Sequence, residues 1–252
     1  MDDQVIFNFK TDISSVTIPD QLNNPFGSHI PEIARVASKE FQKFIISEYK
    51  DCENNFFIKK GKMFGVLVIQ KGDYSYGYLG AVSGKLPGKS TCNHLVPSLF
   101  DDSTDDFFLE KGMNRLKEIT CKINASNNQS EISSLKNIRK QKSIALQNQL
   151  FENYQFLNCF GDKKGVLEIF INSIGKKPPA AAGECAAPKL LQYAFKNALK
   201  PIAIAEFWWG NSIESSERIH NVFYPACTRK CRPILEYMLD NRNLHHQANS
   251  KH

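Results

Sequence analysis

Gly183-Glu184-Cys185-Ala186-Ala187-Pro188-Lys189-Leu190 and, further along, Tyr224-Pro225-Ala226-Cys227-Thr228-Arg229-Lys230-Cys231 are the stretches that decide how this chain folds. A proline is tolerated in a helix only within the first turn, where its missing N–H has no partner to lose. Pro188 therefore puts Cys185 at or just before a helix N-terminus. Pro233 does the same for Cys231, and Cys227 precedes it in the loop set up by Pro225. Between the two stretches, Pro201 to Trp209 is an apolar run of buried-strand length. Three thiols at two helix N-termini lie at the positive ends of two helix dipoles, which favours thiolate. Thiolate is the form that zinc binds.

Leu190, Leu191, Ala194, Phe195 and Ala198 mark the helix that follows Cys185, and Ile234 to Leu239 belongs to a further helix. Upstream, Gly165-Val166-Leu167-Glu168-Ile169-Phe170 reads as a strand, and Pro178 to Gly183 as a tight loop. Alternating strands and helices of this kind predict an α/β sandwich with a largely buried sheet. Two long polar helices are expected before it, from Asp105 to about Asn124 and from Glu131 to about Leu157. Narrow apolar stripes (Leu116, Ile119 and Ile123 on one; Leu135, Ile138, Ile144, Leu146, Leu150 and Phe151 on the other) predict an antiparallel helical hairpin. Arg139, Lys140 and Lys142 on its second helix are candidate phosphate contacts, although such a cluster also suits a solvated face. Further upstream, Lys62 to Ile69 and Tyr76 to Val82 flank the turn Lys71-Gly72-Asp73 and predict a β-hairpin, ended by Gly84, Pro87 and Gly88. Pro31 to Tyr49 keeps helical spacing. The expected organisation is an N-terminal α+β region over 1–104, the helical hairpin over 105–157 and the α/β segment over 158–240. Residues 1–30 read as irregular and 241–252 as a disordered tail.

The net charge of +6 is compatible with RNA binding and with many other roles. The acidic start, Met1-Asp2-Asp3-Gln4, lacks a secretory signal, and no apolar run approaches the ~20 residues of a membrane span. The expectation is a soluble, cytoplasmic protein with no membrane partner. In that setting seven cysteines read as thiols or metal ligands, not as a disulfide framework. Cys52, Cys92, Cys121 and Cys159 are scattered among apolar and loop residues. Only Cys185, Cys227 and Cys231 form a pattern.

That pattern is similar to the zinc site of nucleobase deaminases, in which a His or Cys is followed two residues later by Glu and a Pro-Cys-x-x-Cys pair opens the next helix. The resemblance implies a deaminase-like α/β sandwich with zinc held by Cys185, Cys227 and Cys231 and a fourth position left for water. Two departures stand out. The second pair is Cys227-x-x-x-Cys231, one residue wider, and the position two after Cys185 is Ala187, which cannot move a proton. Glu184 is the available carboxylate and so the candidate catalytic residue. His220 is a possible fourth ligand, which would close the site and make it structural. Trp208 and Trp209 serve either the core or a surface on which a base stacks.

Longer segments resemble the N-terminal extension of bacterial RluA-type RNA pseudouridine synthases. They are Pro178 to Ala194, Ala205-Glu206-Phe207-Trp208-Trp209-Gly210, Tyr224-Pro225-Ala226-Cys227, Gly61 to Leu67 and Lys142 to Phe151. The likeness runs from about residue 30 to residue 240. Synthases of that family carry an Arg-Leu-Asp segment whose Asp starts the uridine rearrangement. Here the nearest match is Arg115-Leu116-Lys117, so synthase activity is not expected from this chain alone. The resemblance implies an accessory module of RNA modification that binds ribosomal or transfer RNA, or a pseudouridine synthase. Two alternatives stay open: a zinc-dependent deaminase-type hydrolase acting on a base or nucleoside, and an interaction domain with a structural zinc.

Overall fold

From Ala203 to Phe207 the side chains alternate in allegiance. Ala203, Ala205, Phe207 and Trp209 pack into one hydrophobic cluster, whereas Ile204 packs into another. A strand sends successive side chains to opposite faces, so this run must be covered on both sides. The computed structural model describes residues 3–48, 61–84, 86, 93–99, 108–212 and 217–240. Over these the chain is a mixed α/β fold built on an antiparallel sheet.

The strands are β1 (Ile6–Asn8), β2 (Lys62–Gln70), β3 (Tyr76–Val82), β4 (Gln155–Leu157), β5 (Lys163–Gly165), β6 (Lys200–Trp209) and β7 (Phe223–Tyr224). The helices are α1 (Glu32–Glu48), α2 (Phe108–Ala125), α3 (Gln129–Glu152), α4 (Val166–Ile174), α5 (Ala186–Lys196) and α6 (Arg232–Leu239). The main sheet has the order β1-β3-β2-β6-β7, every neighbouring pair antiparallel. β4 and β5 form a separate two-stranded ribbon. The predicted hairpin is thus β2–β3, and its first strand pairs along its whole length with β6 (Lys62 opposite Trp209, Gln70 opposite Lys200). The stretches expected as separate regions, 1–104 and 158–240, share one sheet. The helical pair α2–α3 is inserted between them.

One face of the sheet is covered by α1. Ile33, Ala37, Phe41 and Ile45 recur at helical spacing and pack on Phe64, Val66, Val68, Phe207 and Trp209. Gly80 makes room for the Phe41 ring: a Cβ there would stand 2.3 Å from its Cε2. The other face is covered by α5, with α6 packed beside that helix; Leu190, Leu191, Ile234, Leu235 and Met238 share one buried cluster with Leu67, Ile69, Leu79 and Ile204. Gly65 makes this second approach close, because a Cβ there would lie 2.9 Å from the Cβ of Ala186 at the start of α5. Gly65 is also the register partner of Glu206.

Four expectations need correction. The run Val166–Phe170 is the first half of helix α4, not a strand. Gly165 caps its start, Val166, Ile169 and Phe170 bury one helical face, and Gly175 ends it with φ at 65°. A short apolar run fits either period, and burial on one helical stripe decides it. Helix α3 stops at Glu152, where Asn153 caps it, and Gln155–Leu157 turns into strand β4. Part of 1–30, taken as irregular, forms edge strand β1, which pairs with β3. Finally, α2 and α3 do pack antiparallel, with Gly112 against Leu146 and Arg139 bonded to Thr120, yet their stripes bury little. Leu116 and Phe151 are buried, while Ile138 and Ile144 stay exposed. The predicted hairpin stops at Pro87 and Gly88, the residues Cys52 and Cys92, the start of the first long helix over 105–107 and the tail over 241–252 lie outside the described residues. No helix among the described residues is long and apolar enough to cross a membrane.

Candidate metal centre

Cys185 is the N-cap of α5, in extended backbone (φ −72°, ψ 160°), and Pro188 sits in the first turn behind it. Cys231 is the N-cap of α6, with Pro233 in that helix's first turn. The loop carrying Cys227 folds back between them. The Sγ atoms of Cys185, Cys227 and Cys231 all lie within 4.8 Å of one another. Cys231 is buried, and the other two are half-buried. Three thiolates on zinc at about 2.3 Å each form an edge of about 3.8 Å in a tetrahedron, so a small contraction of this cluster closes it on an ion. The residues present fit zinc by their chemistry as well as by their spacing.

Without an ion the cluster cannot hold three negative charges, and the thiols sort themselves by hydrogen bonding. Cys227 is held well below the usual thiol range because Cys185 and Cys231 direct their thiols at it, with the backbone N–H groups of Lys230 and Arg229 adding to the effect. Cys185 is pushed far up, first by its bond to Cys227, then by that to Cys231, then by burial. The interaction with Cys185 favours the charged form of Cys231, but its contact with Cys227 and its burial outweigh that and push it up to about 12. In the metal-free cluster Cys227 alone is held below the usual thiol range. Hydrogen bonding among the three sulfurs, and then burial, decides which thiol keeps its proton.

The carboxylate singled out from the sequence is occupied elsewhere. Glu184 accepts a hydrogen bond from the Tyr154 hydroxyl at 2.5 Å, and its other oxygen stands 3.8 Å from the Lys189 ammonium. Lys189, only 2% exposed, donates to the Gly84 carbonyl, while the Gly84 N–H donates to the Glu184 carbonyl. These bonds clamp the end of β3 to the loop before Cys185, which gives Glu184 a role in holding that loop. Gly183, with φ at 91°, makes the turn into Cys185, and its N–H is directed at the Cys231 sulfur.

His220 is not part of the thiol group. Its Nδ1 accepts the Gly210 N–H at 2.9 Å, and its ring lies 4.4 Å from that of Trp209. Trp208 and Trp209 are 5% and 6% exposed. Trp209 packs on Phe207, and Trp208 donates to the Asn211 carbonyl beneath the Arg218 guanidinium. Both indoles serve the core. Arg139, Lys140 and Lys142 are exposed on α3, remote in sequence from the thiols, and Arg139 ties α3 to Thr120 of α2.

Sequence reasoning passed over Glu206. It is 5% exposed, on the sheet face that carries the thiols, and its Oε1 accepts the Ala187 N–H at 3.0 Å. Burial pushes its carboxyl up to about 7; the Ala187 bond opposes this, the negative charge of Cys227 reinforces it, and Arg218 works against it. The signal was a lone charge in an apolar buried-strand run, a placement that requires a partner. Comparison with family models, with curated proteins and with solved structures returns no match to this chain.

Proposed function

We propose that this chain is a zinc-binding domain with a deaminase-like frame that serves RNA pseudouridylation as an accessory RNA- or partner-binding module. The observation that carries it is the convergence of Cys185, Cys227 and Cys231 from two helix N-caps onto one point. The order of elements supports the frame: a hairpin, a helix opened by cysteine, a strand returning beside the first hairpin strand, and a cysteine pair opening the next helix. Bound zinc would fix the two loops and offer a Lewis-acid position beside Glu206. Cys185, Cys227 and Cys231 would hold it, and Glu184, Tyr154 and Lys189 would keep the Cys185 loop in place.

The accessory role is supported by two further features. Arg115-Leu116-Lys117 lies in α2 with Leu116 buried, which gives no acid for uridine rearrangement. The helical pair projects exposed Lys136, Arg139, Lys140 and Lys142 together with the half-exposed Met113, Ile138 and Ile144. A binding titration of ribosomal and transfer RNA fragments across salt concentrations tests it. The affinity is expected to fall steeply with salt, with a shallower slope after Lys140→Ala and Lys142→Ala. Binding indifferent to salt and to both substitutions would remove the RNA part of the reading.

The buried carboxylate on the thiol face favours a second reading, a zinc hydrolase of the deaminase type. It requires ammonia release from a base or nucleoside that is lost in both Cys185→Ser and Glu206→Gln. Activity surviving either change would sink it.

A further inference from the structure

Ala187 stands where the helix of a zinc deaminase-like site would carry its proton-moving carboxylate, and alanine supplies none. The main-chain N–H of that same residue is nevertheless bonded to a carboxylate, delivered from β6 by Glu206. One oxygen is explained by this bond alone, since the first N–H groups of a helix need acceptors. The other is not. Oε2 accepts no hydrogen bond from any described residue, although the side chain is 95% removed from solvent. A buried carboxylate oxygen without a donor is costly, and it calls for a bound group.

The space beside Glu206 limits what that group is. A cavity of about 10 Å³ is lined by Glu206, Ala187, Tyr224, Ala226, Asn23 and Pro25, next in sequence to both ligand loops. That is the lower limit for one water molecule and far too small for a base. Asn23 donates one N–H to the Ile204 carbonyl and accepts the Ile204 N–H, which leaves its amide a second donor and lone pair for such a water. Glu206 is not itself in the ligand set, because its oxygens fall outside the group whose atoms all lie within 4.8 Å. It is close enough for its charge to act on Cys227 and Cys185.

We propose that Glu206 is the functional carboxylate of the thiol centre, supplied by the sheet in place of the helix, and that its free oxygen accepts a hydrogen bond from a buried solvent molecule coupled to the fourth position of a metal held by Cys185, Cys227 and Cys231. The site is then open, and its small ligand is water. This rests on the zinc-binding reading of the three thiols.

Cobalt(II) substitution separates the two claims. A thiolate-to-cobalt charge-transfer band in the near ultraviolet reports the three sulfurs, and the visible d–d bands report the fourth ligand. In the wild type the visible bands are expected to change with pH through one transition while the charge-transfer band holds. Glu206→Gln keeps an acceptor for the Ala187 N–H but removes the negative charge. It should leave the charge-transfer band intact and move the transition down by about one pH unit or more. Glu184→Gln should leave the transition in place, because that carboxylate is held by Tyr154 and Lys189. A pH-invariant visible spectrum in the wild type would mean a closed site and would overturn the inference, as would an unmoved transition in Glu206→Gln. Absence of the charge-transfer band in the wild type would overturn the metal centre itself. Because that band reports an assembled site in each variant, misfolding cannot imitate any of these results.

Discussion

The two faces of the central sheet are built from the same strands and carry opposite chemistry. On the α1 face, Phe41, Phe64, Phe207 and Trp209 interlock ring against ring. On the α5–α6 face, Leu67, Ile69 and Ile204 are aliphatic, and Gly65 with Ala186 lets the helix start close to the strands. Three thiols and Glu206 occupy that part of the molecule. The switch happens within three consecutive residues, Ala205, Glu206 and Phe207, because a strand reverses its facing at each step. The aromatic face supplies rigidity. It leaves the opposite face free to bury ionisable groups that cost stability.

The largest effect should come from breaking the aromatic face. Phe41→Ala removes a fully buried ring and opens a cavity, at a cost of about 3–5 kcal/mol by urea denaturation. The zinc bound per folded chain should not change, since nothing on the thiol face is touched. A loss of metal in the folded variant would show that the faces are not independent.

The next effect sharpens the comparison on the chemical face and appears in chelator-treated protein. Burial pushes the Glu206 carboxyl up to about 7 from its ordinary value of 4.5. A raised carboxyl favours folding while it is protonated, so its contribution is full below pH 4.5 and is lost as pH rises through 7. The metal-free wild type should therefore lose about 3 kcal/mol between pH 4 and pH 8 relative to Glu206→Gln. Parallel stability curves for the two proteins would contradict the burial argument.

A smaller effect tests the close approach itself. Gly65→Ala sets a methyl 2.9 Å from Ala186 Cβ and 3.1 Å from Leu190 Cδ1, which should cost about 1–3 kcal/mol and weaken zinc binding by displacing the start of α5. Gly72→Ala, in open space within the β2–β3 turn, should do neither. Equal behaviour of the two variants in a thermal melt and a zinc competition assay would remove the role assigned to Gly65.

Much of this frame is legible along the chain. Pro188 and Pro233 announce the two helix starts, and the alternating or continuous apolar runs announce β2, β3 and β6. The pairing of β2 with β6 is not legible, because it joins segments far apart in sequence, and only packing against α1 and α5 fixes their register. Val166–Phe170 was misread because four apolar residues around Glu168 satisfy a short strand and a buried helix alike. Glu206 was overlooked for a different reason. Motif spacing searches along the helix for a carboxylate, whereas here the carboxylate reaches the helix from the neighbouring strand. His220, read as a possible fourth ligand, is instead held by the Gly210 N–H and the Trp209 ring.

The central claim is that one face of this sheet holds a metal through three thiolates. Its most direct test is elemental analysis of protein purified without chelator, beside a Cys185→Ser variant whose fold is checked by circular dichroism. About one zinc per chain is expected in the wild type, with a marked loss in the variant. A folded wild type that contains no zinc and takes up none from solution would contradict it.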